Sequence, residues 1–258
     1  SPGDDRVYFI DDTAAGQRLR TLAYGGAAAI DVALSPAGTY RVTHAAYDVA
    51  GNRVLGLAIR NADQQLVLVG IAPATGAVSL LQTAAAGCCT LRAGVIGFDT
   101  ASRYLFVAGK ATGDADERLL AFSPVAGSAP VMSQPVPGEN LLALAVHPTT
   151  GQIYALSRSA TTGLTRLLRL QFTPSFQIVE PGFGVADCCS VQAGPVAIDR
   201  SANAFVALTH ELATAGTWRI RRFDLATGAI TTGASMPAAG LWEDTAVSLD
   251  RIFDNGFD

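Results

Sequence analysis

A chain of 258 residues has room for a large core and for one or two domains. Hydrophobic residues make up 49% and charged ones 16%, which excludes disorder and favours a heavily buried, strand-rich body. The net charge of −4, with one lysine (Lys110) and no basic cluster, makes the chain a poor nucleic-acid binder, and no nucleic-acid partner is expected.

The chain starts on Ser1-Pro-Gly-Asp-Asp5, without a signal peptide, as expected of a mature or trimmed terminus. Its 26 glycines and 12 prolines are spread between short apolar runs, the punctuation of an all-β protein. Leu66 to Leu91 is uncharged and long enough to suggest a membrane span. Ala72-Pro-Ala-Thr-Gly76 and Gly87-Cys-Cys89 interrupt it, so it reads as a hairpin and a loop instead.

Five apolar segments end in Asp or a substitute, about fifty residues apart. They are His44 to Asp48, Val95 to Asp99, Ala143 to His147, Pro195 to Asp199 and Ala246 to Asp250. After each of the first four come a turn and a second strand: Arg53 to Ala58, Arg103 to Ala108, Gln152 to Leu156, Ala204 to Leu208. Third strands follow at Gln65 to Val69, Arg118 to Phe122, Arg166 to Leu170 and Trp218 to Phe223. Gly-bearing turns then lead to weaker fourth strands such as Ala77 to Leu81. Four antiparallel strands per repeat make a propeller blade.

The two ends have complementary deficits. Arg6 to Ile10, Gln17 to Leu22 and Ala29 to Leu34 match second, third and fourth strands, whereas Thr245 to Asp250 is a first strand with no followers. The expected fold is one domain over residues 1–258, a five-bladed β-propeller closed by a composite blade from both termini. Closure of that kind removes exposed sheet edges.

The stretch Leu144-Ala-Val-His-Pro-Thr-Thr-Gly-Gln-Ile-Tyr-Ala-Leu156 resembles the repeat of generic bacterial β-propellers, with its apolar strand, Asp-Pro-x-Thr-Gly turn and aromatic strand. The resemblance covers nearly the whole chain and implies an architecture shared by lectin-like, enzymatic and scaffold proteins; it does not by itself assign a function. The tail, residues 251–258 (Arg-Ile-Phe-Asp-Asn-Gly-Phe-Asp), resembles the short ends of many exported bacterial proteins. It reads either as a sorting or assembly tag or as packing of Phe253 and Phe257.

All four cysteines sit in two matching loops, Gly87-Cys-Cys-Thr-Leu-Arg-Ala-Gly94 and Asp187-Cys-Cys-Ser-Val-Gln-Ala-Gly194, each leading into a first strand. Paired cysteines in an exported-looking chain point to an oxidising compartment, secreted or periplasmic. Neighbouring residues have Cα atoms about 3.8 Å apart if trans and about 2.9 Å if cis, below the usual disulfide range of roughly 4.4–6.8 Å. Bridges between the loops would have to cross two blades. Vicinal disulfides Cys88–Cys89 and Cys188–Cys189 are the favoured reading, with inter-loop bridges and free thiols as alternatives. Adjacent cysteines aim badly at a shared zinc, so no metal is expected.

In an up-and-down blade, loops between strands two and three share an end with the loops leading into strand one. That end gathers both cysteine pairs with Arg60, Arg92, Lys110, Arg158, Gln192, His210, Glu211 and His44, the candidate binding residues. The Asp turns lie at the opposite end, with Asp bonding its own turn and His147 substituting for it. No catalytic constellation, phosphate loop or Ca²⁺ loop is recognisable, so neither catalytic residues nor cofactors are expected. The reading is an exported, non-catalytic binding or extracellular assembly module, with a protein or glycan partner or with further copies of itself. The alternative is a propeller hydrolase or lyase acting at the channel mouth on a carbohydrate or other small molecule, with His44, His210, Glu211 and an arginine.

Overall fold

The computed structural model describes residues 6–23, 30–85, 88–125, 132–171, 177–179, 191–211 and 217–237, and the strands among them form five antiparallel sheets. The first holds β1 (Arg6–Thr13), β2 (Gly16–Ala23) and β3 (Ile30–Ala33). The second runs β4 (Tyr40–Asp48), β5 (Arg53–Arg60), β6 (Gln65–Ile71) and β7 (Val78–Thr83). The third runs β8 (Thr90–Phe98), β9 (Leu105–Lys110), β10 (Glu117–Phe122) and β11 (Met132–Val136). The fourth runs β12 (Glu139–Val146), β13 (Ile153–Ser159), β14 (Thr165–Gln171) and β15 (Gln177–Val179), and the fifth β16 (Val191–Asp199), β17 (Ala204–Glu211), β18 (Thr217–Asp224) and β19 (Ile230–Pro237). The repeat therefore delivers its strands in the expected order. No described helix is long and apolar enough to cross a membrane.

β4, β8, β12 and β16 touch one another in succession and are the inner strands. In the first sheet β1 plays the second-strand part beside β4. Residues 245–250, expected as its inner strand, lie outside the described residues.

The core is a series of apolar layers between consecutive sheets, not one central cluster. Leu19, Val42, Val54, Val69 and Ile71 fill the layer between the first and second sheets. Leu57, Leu68, Leu105, Leu120 and Phe122 fill the next, Leu119, Leu141, Ala155 and Leu168 the third, and Leu156, Ile198, Phe205 and Phe223 the last. A strand in the middle of such a stack is covered on both faces, so it reads as a continuous apolar run. Val54 to Ala58 and Leu66 to Ile71 are buried without alternation for that reason.

The turn after each inner strand repeats in backbone and side chain. Asn52, Arg103, Gly151 and Asn203 occupy the same turn position, and all have positive φ (46°, 59°, 67° and 46°). Gly and Asn tolerate this region, whereas arginine pays a steric penalty there. Arg103 offsets it with a 2.6 Å bond from its guanidinium to Asp48 of the preceding sheet. Asp48 accepts the Gly51 N–H, Asp99 the Ala101 N–H and Ser102 hydroxyl, and Asp199 the Ala202 N–H and Ser201 hydroxyl. His147 does the same work through Nδ1, which accepts the Thr149 and Thr150 N–H groups.

Candidate binding face

The register of the inner hairpins decides which side chains share an end. Tyr40 pairs with Arg60, Thr90 with Lys110, Asn140 with Arg158, and Gln192 with His210. Arg60, Lys110, Arg158 and His210 therefore all stand where the inner strands begin, and Cys88–Cys89 immediately precedes Thr90 there. Cys188 and Cys189 lie outside the described residues; Gln192 and Glu211 are placed by their backbone alone.

Each inner strand carries a register shift near this end, at Val42/His44, Leu91/Ile96, Leu141/Ala143 and Ala193/Val196. A bulge removes backbone groups from the ladder, so they need other partners. Beside two of these shifts, a residue still paired across its hairpin turns backbone groups away from the second strand, and a side chain of the neighbouring sheet meets them. Val42 N–H donates to Gln17 Oε1 at 2.7 Å, and Gln17 Nε2 donates to the Val42 carbonyl at 2.8 Å. Two repeats later, Leu141 N–H donates to Glu117 Oε2 at 2.7 Å. Gln17 lies near the start of β2 and Glu117 opens β10, so in both cases a side chain from the third-strand position of one sheet latches the bulge of the next.

The Glu117 latch extends sideways. Its Oε1 accepts Arg92 Nε at 2.7 Å, and the Arg92 carbonyl accepts a bond from His44 Nε2 at 2.8 Å. Nδ1 of His44 stands 3.0 Å from the Thr43 hydroxyl. One chain of contacts thus links the inner strands of the second, third and fourth sheets. In the fourth sheet Glu139 is buried between Arg166 and the Ser157 hydroxyl, which donates at 2.6 Å. Carboxylates this deep persist because both oxygens are bonded.

The remaining candidates are also engaged. Arg60 forks onto Asp63 and Gln65; the Asp63 partner raises the guanidinium pKa, and the same bond lowers that of Asp63. Lys110 is exposed and donates to the Ala115 carbonyl at 2.7 Å. The Arg158 carbonyl accepts a long contact from Asn140, and His210 rests on the Trp218 ring with centroids 5.2 Å apart. Cys88 and Cys89 form a vicinal disulfide. Cys89 lies in the layer between the second and third sheets, with Cys88 half-buried against the same residues.

At the opposite end, burial works to raise the Asp48 carboxyl, but Arg103, the Gly51 N–H and Arg53 outweigh it and hold the pKa low. Asp199 is likewise held low against burial by Ser201, Ala202 and Arg222. Burial and Arg200 push His147 below the usual histidine value.

Sequence reasoning missed Glu117, Gln17 and Glu139, whose polar type suggests loops and exposed strand ends. A signal was present in the repeat: Gln17, Gln65 and Glu117 recur about fifty residues apart, each at or next to the start of its strand. It also missed Arg41 and Thr43, exposed on the inner strand β4. Among the described residues no cluster of three or more His, Cys, Asp and Glu side chains is arranged to hold a metal ion.

No family model and no curated protein sequence matches the chain. Solved structures do match its fold, and they are β-propeller proteins. Putative TolB from Agrobacterium tumefaciens is 11% identical with a TM-score of 0.63, over 90% of this chain and 78% of that one. TolB from Acinetobacter baumannii is 10% identical with a TM-score of 0.62; 89% of this chain is covered, spanning about half (53%) of that chain's length. An oligogalacturonate lyase in complex with manganese is 10% identical with a TM-score of 0.55, over 92% of this chain and 64% of that one. The protein is all-β, with TolB-like propeller neighbours. At these identities the likeness shows the fold alone.

Proposed function

We propose that this chain is an exported, non-catalytic five-bladed β-propeller that binds a protein or glycan, or further copies of itself, at the end where its inner strands begin. The ring closes through a composite blade in which Thr245 to Asp250 lies beside β1. The single observation that carries the reading is the latched face: Gln17–Val42 and His44–Arg92–Glu117–Leu141 tie successive blades together around exposed Arg41, Thr43, Thr90 and Lys110. A surface whose positioning side chains are already bonded loses little freedom on binding. The Cys88–Cys89 disulfide supports an oxidising compartment.

The competing reading is a propeller enzyme using His44, His210 and Glu211, favoured by the fold's likeness to oligogalacturonate lyase. Incubation with oligogalacturonate, with and without manganese, separates the two. The proposal expects no unsaturated product by ultraviolet absorbance; sustained product formation lost in His44→Ala would overturn it. For the binding function itself, a glycan array and immobilised copies of the chain are probed with wild type and with all four cysteines replaced by serine. Weaker association of a still-folded variant is expected, and unchanged association would count against the face.

A further inference from the structure

The vicinal pair is placed asymmetrically, one cysteine buried and the other half-buried. Cys89 is 7% exposed and packs with Leu55, Leu57, Leu66, Leu68, Leu105 and Phe122, the residues that hold the second sheet against the third. Cys88 is half-buried, and its N–H donates to the Ala85 carbonyl at 3.1 Å. Across the hairpin, a methyl group added at Gly109 would already come within 3.3 Å of Cys89 Cβ and 3.2 Å of a Leu91 methyl. There is little spare room beside Cys89 Cβ.

We infer that Cys88–Cys89 is a redox-sensitive wedge between two blades, and that its reduction displaces the start of β8 on the candidate binding face. The reductant is a dithiol. Its thiolate attacks Cys88 Sγ, on the more exposed of the two residues; the S–S bond breaks and the electron pair leaves on Cys89 Sγ, which takes a proton. The second thiol of the reductant then attacks the mixed disulfide, forming the reductant's own disulfide and releasing Cys88, which takes the other proton. Two electrons and two protons pass from the dithiol to the pair.

The structural consequence follows from size. Sulfurs bonded at about 2 Å must move apart to a non-bonded contact of roughly 3.5–4 Å once the bond is gone. Well-packed cores resist such expansion. Cys89 is the buried residue, with Gly109 close to its Cβ, so Cys88, the more exposed of the two, is the one that swings out. Its movement pulls on Thr90, which pairs with Lys110, and through β8 on Arg92, the centre of the contacts from His44 to Leu141. This goes beyond the binding reading, because the wedge responds to thiols whatever the face contacts.

The test uses the full chain with Cys188→Ser and Cys189→Ser, so that the first pair alone can react. Native protein is treated with dithiothreitol, alkylated to count thiols by mass, and followed by hydrogen exchange. Both thiols should become alkylated, and exchange across residues 84–92 and 105–110 should quicken at least about tenfold, equivalent to about 1.4 kcal/mol of local opening free energy. A further Cys89→Ala replacement removes the buried sulfur, and exchange in these segments should then ignore dithiothreitol. Full alkylation with unchanged exchange would overturn the inference, as would a pair that excess dithiothreitol leaves oxidised in the folded protein. Neither result depends on a binding partner, so failure here leaves the proposed function standing, and loss of binding elsewhere leaves the wedge standing.

Discussion

Replacing Glu117 separates the two jobs that its carboxylate performs. In Glu117→Ala the Leu141 N–H, which Glu117 accepts beside the register shift, has no acceptor, and a buried unsatisfied donor costs about 1–3 kcal/mol. Arg92 also loses its partner, but its side chain is 37% exposed and can be resolvated, so that loss adds only about 0.2–1 kcal/mol. The sum is roughly 1–4 kcal/mol. Glu117→Gln keeps an oxygen for Leu141, and Gln17 already latches Val42 at the equivalent place, so its cost should be near 1 kcal/mol or less, from the Arg92 pair alone. Urea unfolding, with the slope unchanged and only the midpoint moved, measures both. An alanine variant within about 0.5 kcal/mol of wild type would refute the latch. A glutamine variant as unstable as the alanine one would show that the ion pair, not the backbone donor, is what matters.

Gly76→Ala should cost at least about 2 kcal/mol by the same assay, because Gly76 has φ +68° and its new methyl would strike the Ala33 carbonyl, where Ser35 bridges the first sheet to Ala77; a change under about 0.5 kcal/mol contradicts this. His147 should make folding weaken in mild acid. Its pKa is lowered in the folded state, so its contribution is complete above the ordinary histidine value of 6.5 and is lost as pH falls through the lowered one. Thermal melts of His147→Asn, which keeps an acceptor for the turn, should lose that dependence, and an unchanged pH profile would clear His147 of the effect. Deleting residues 238–258 should accelerate hydrogen exchange throughout β1 by removing the inner strand proposed to lie beside it; unaltered exchange there would rule out the composite blade.

The blades were legible because their turns repeat in chemistry. Asp48, Asp99 and Asp199 each cap their own turn, and His147 was recognisable as their substitute from position alone. The shared end of Arg60, Lys110, Arg158 and His210 followed from counting strands, since an antiparallel blade fixes which loops lie together. What escaped was every relation between blades. Gln17 and Glu117 act on the bulge of the next sheet, and a bulge leaves almost no mark on the sequence of the strand that contains it. The same limit applies to Cys89: pairing with Cys88 could be argued from adjacency, but its depth between two sheets depends on Leu57, Leu105 and Phe122, which come from other hairpins. Arg41 was passed over because the repeat marks only His44 to Asp48, whereas the strand itself begins at Tyr40.

The central claim, that contact is made at the end where the inner strands begin, is tested most directly by photo-crosslinking in the native setting. A crosslinking residue is placed at Arg41 or Thr90 on that end, and at Thr100 or Thr149 in the turns of the other. The account predicts adducts, whether to another polypeptide, a glycan or a second copy of the chain, from the first two positions and background from the second two. Equal or greater yield from Thr100 and Thr149 would contradict it.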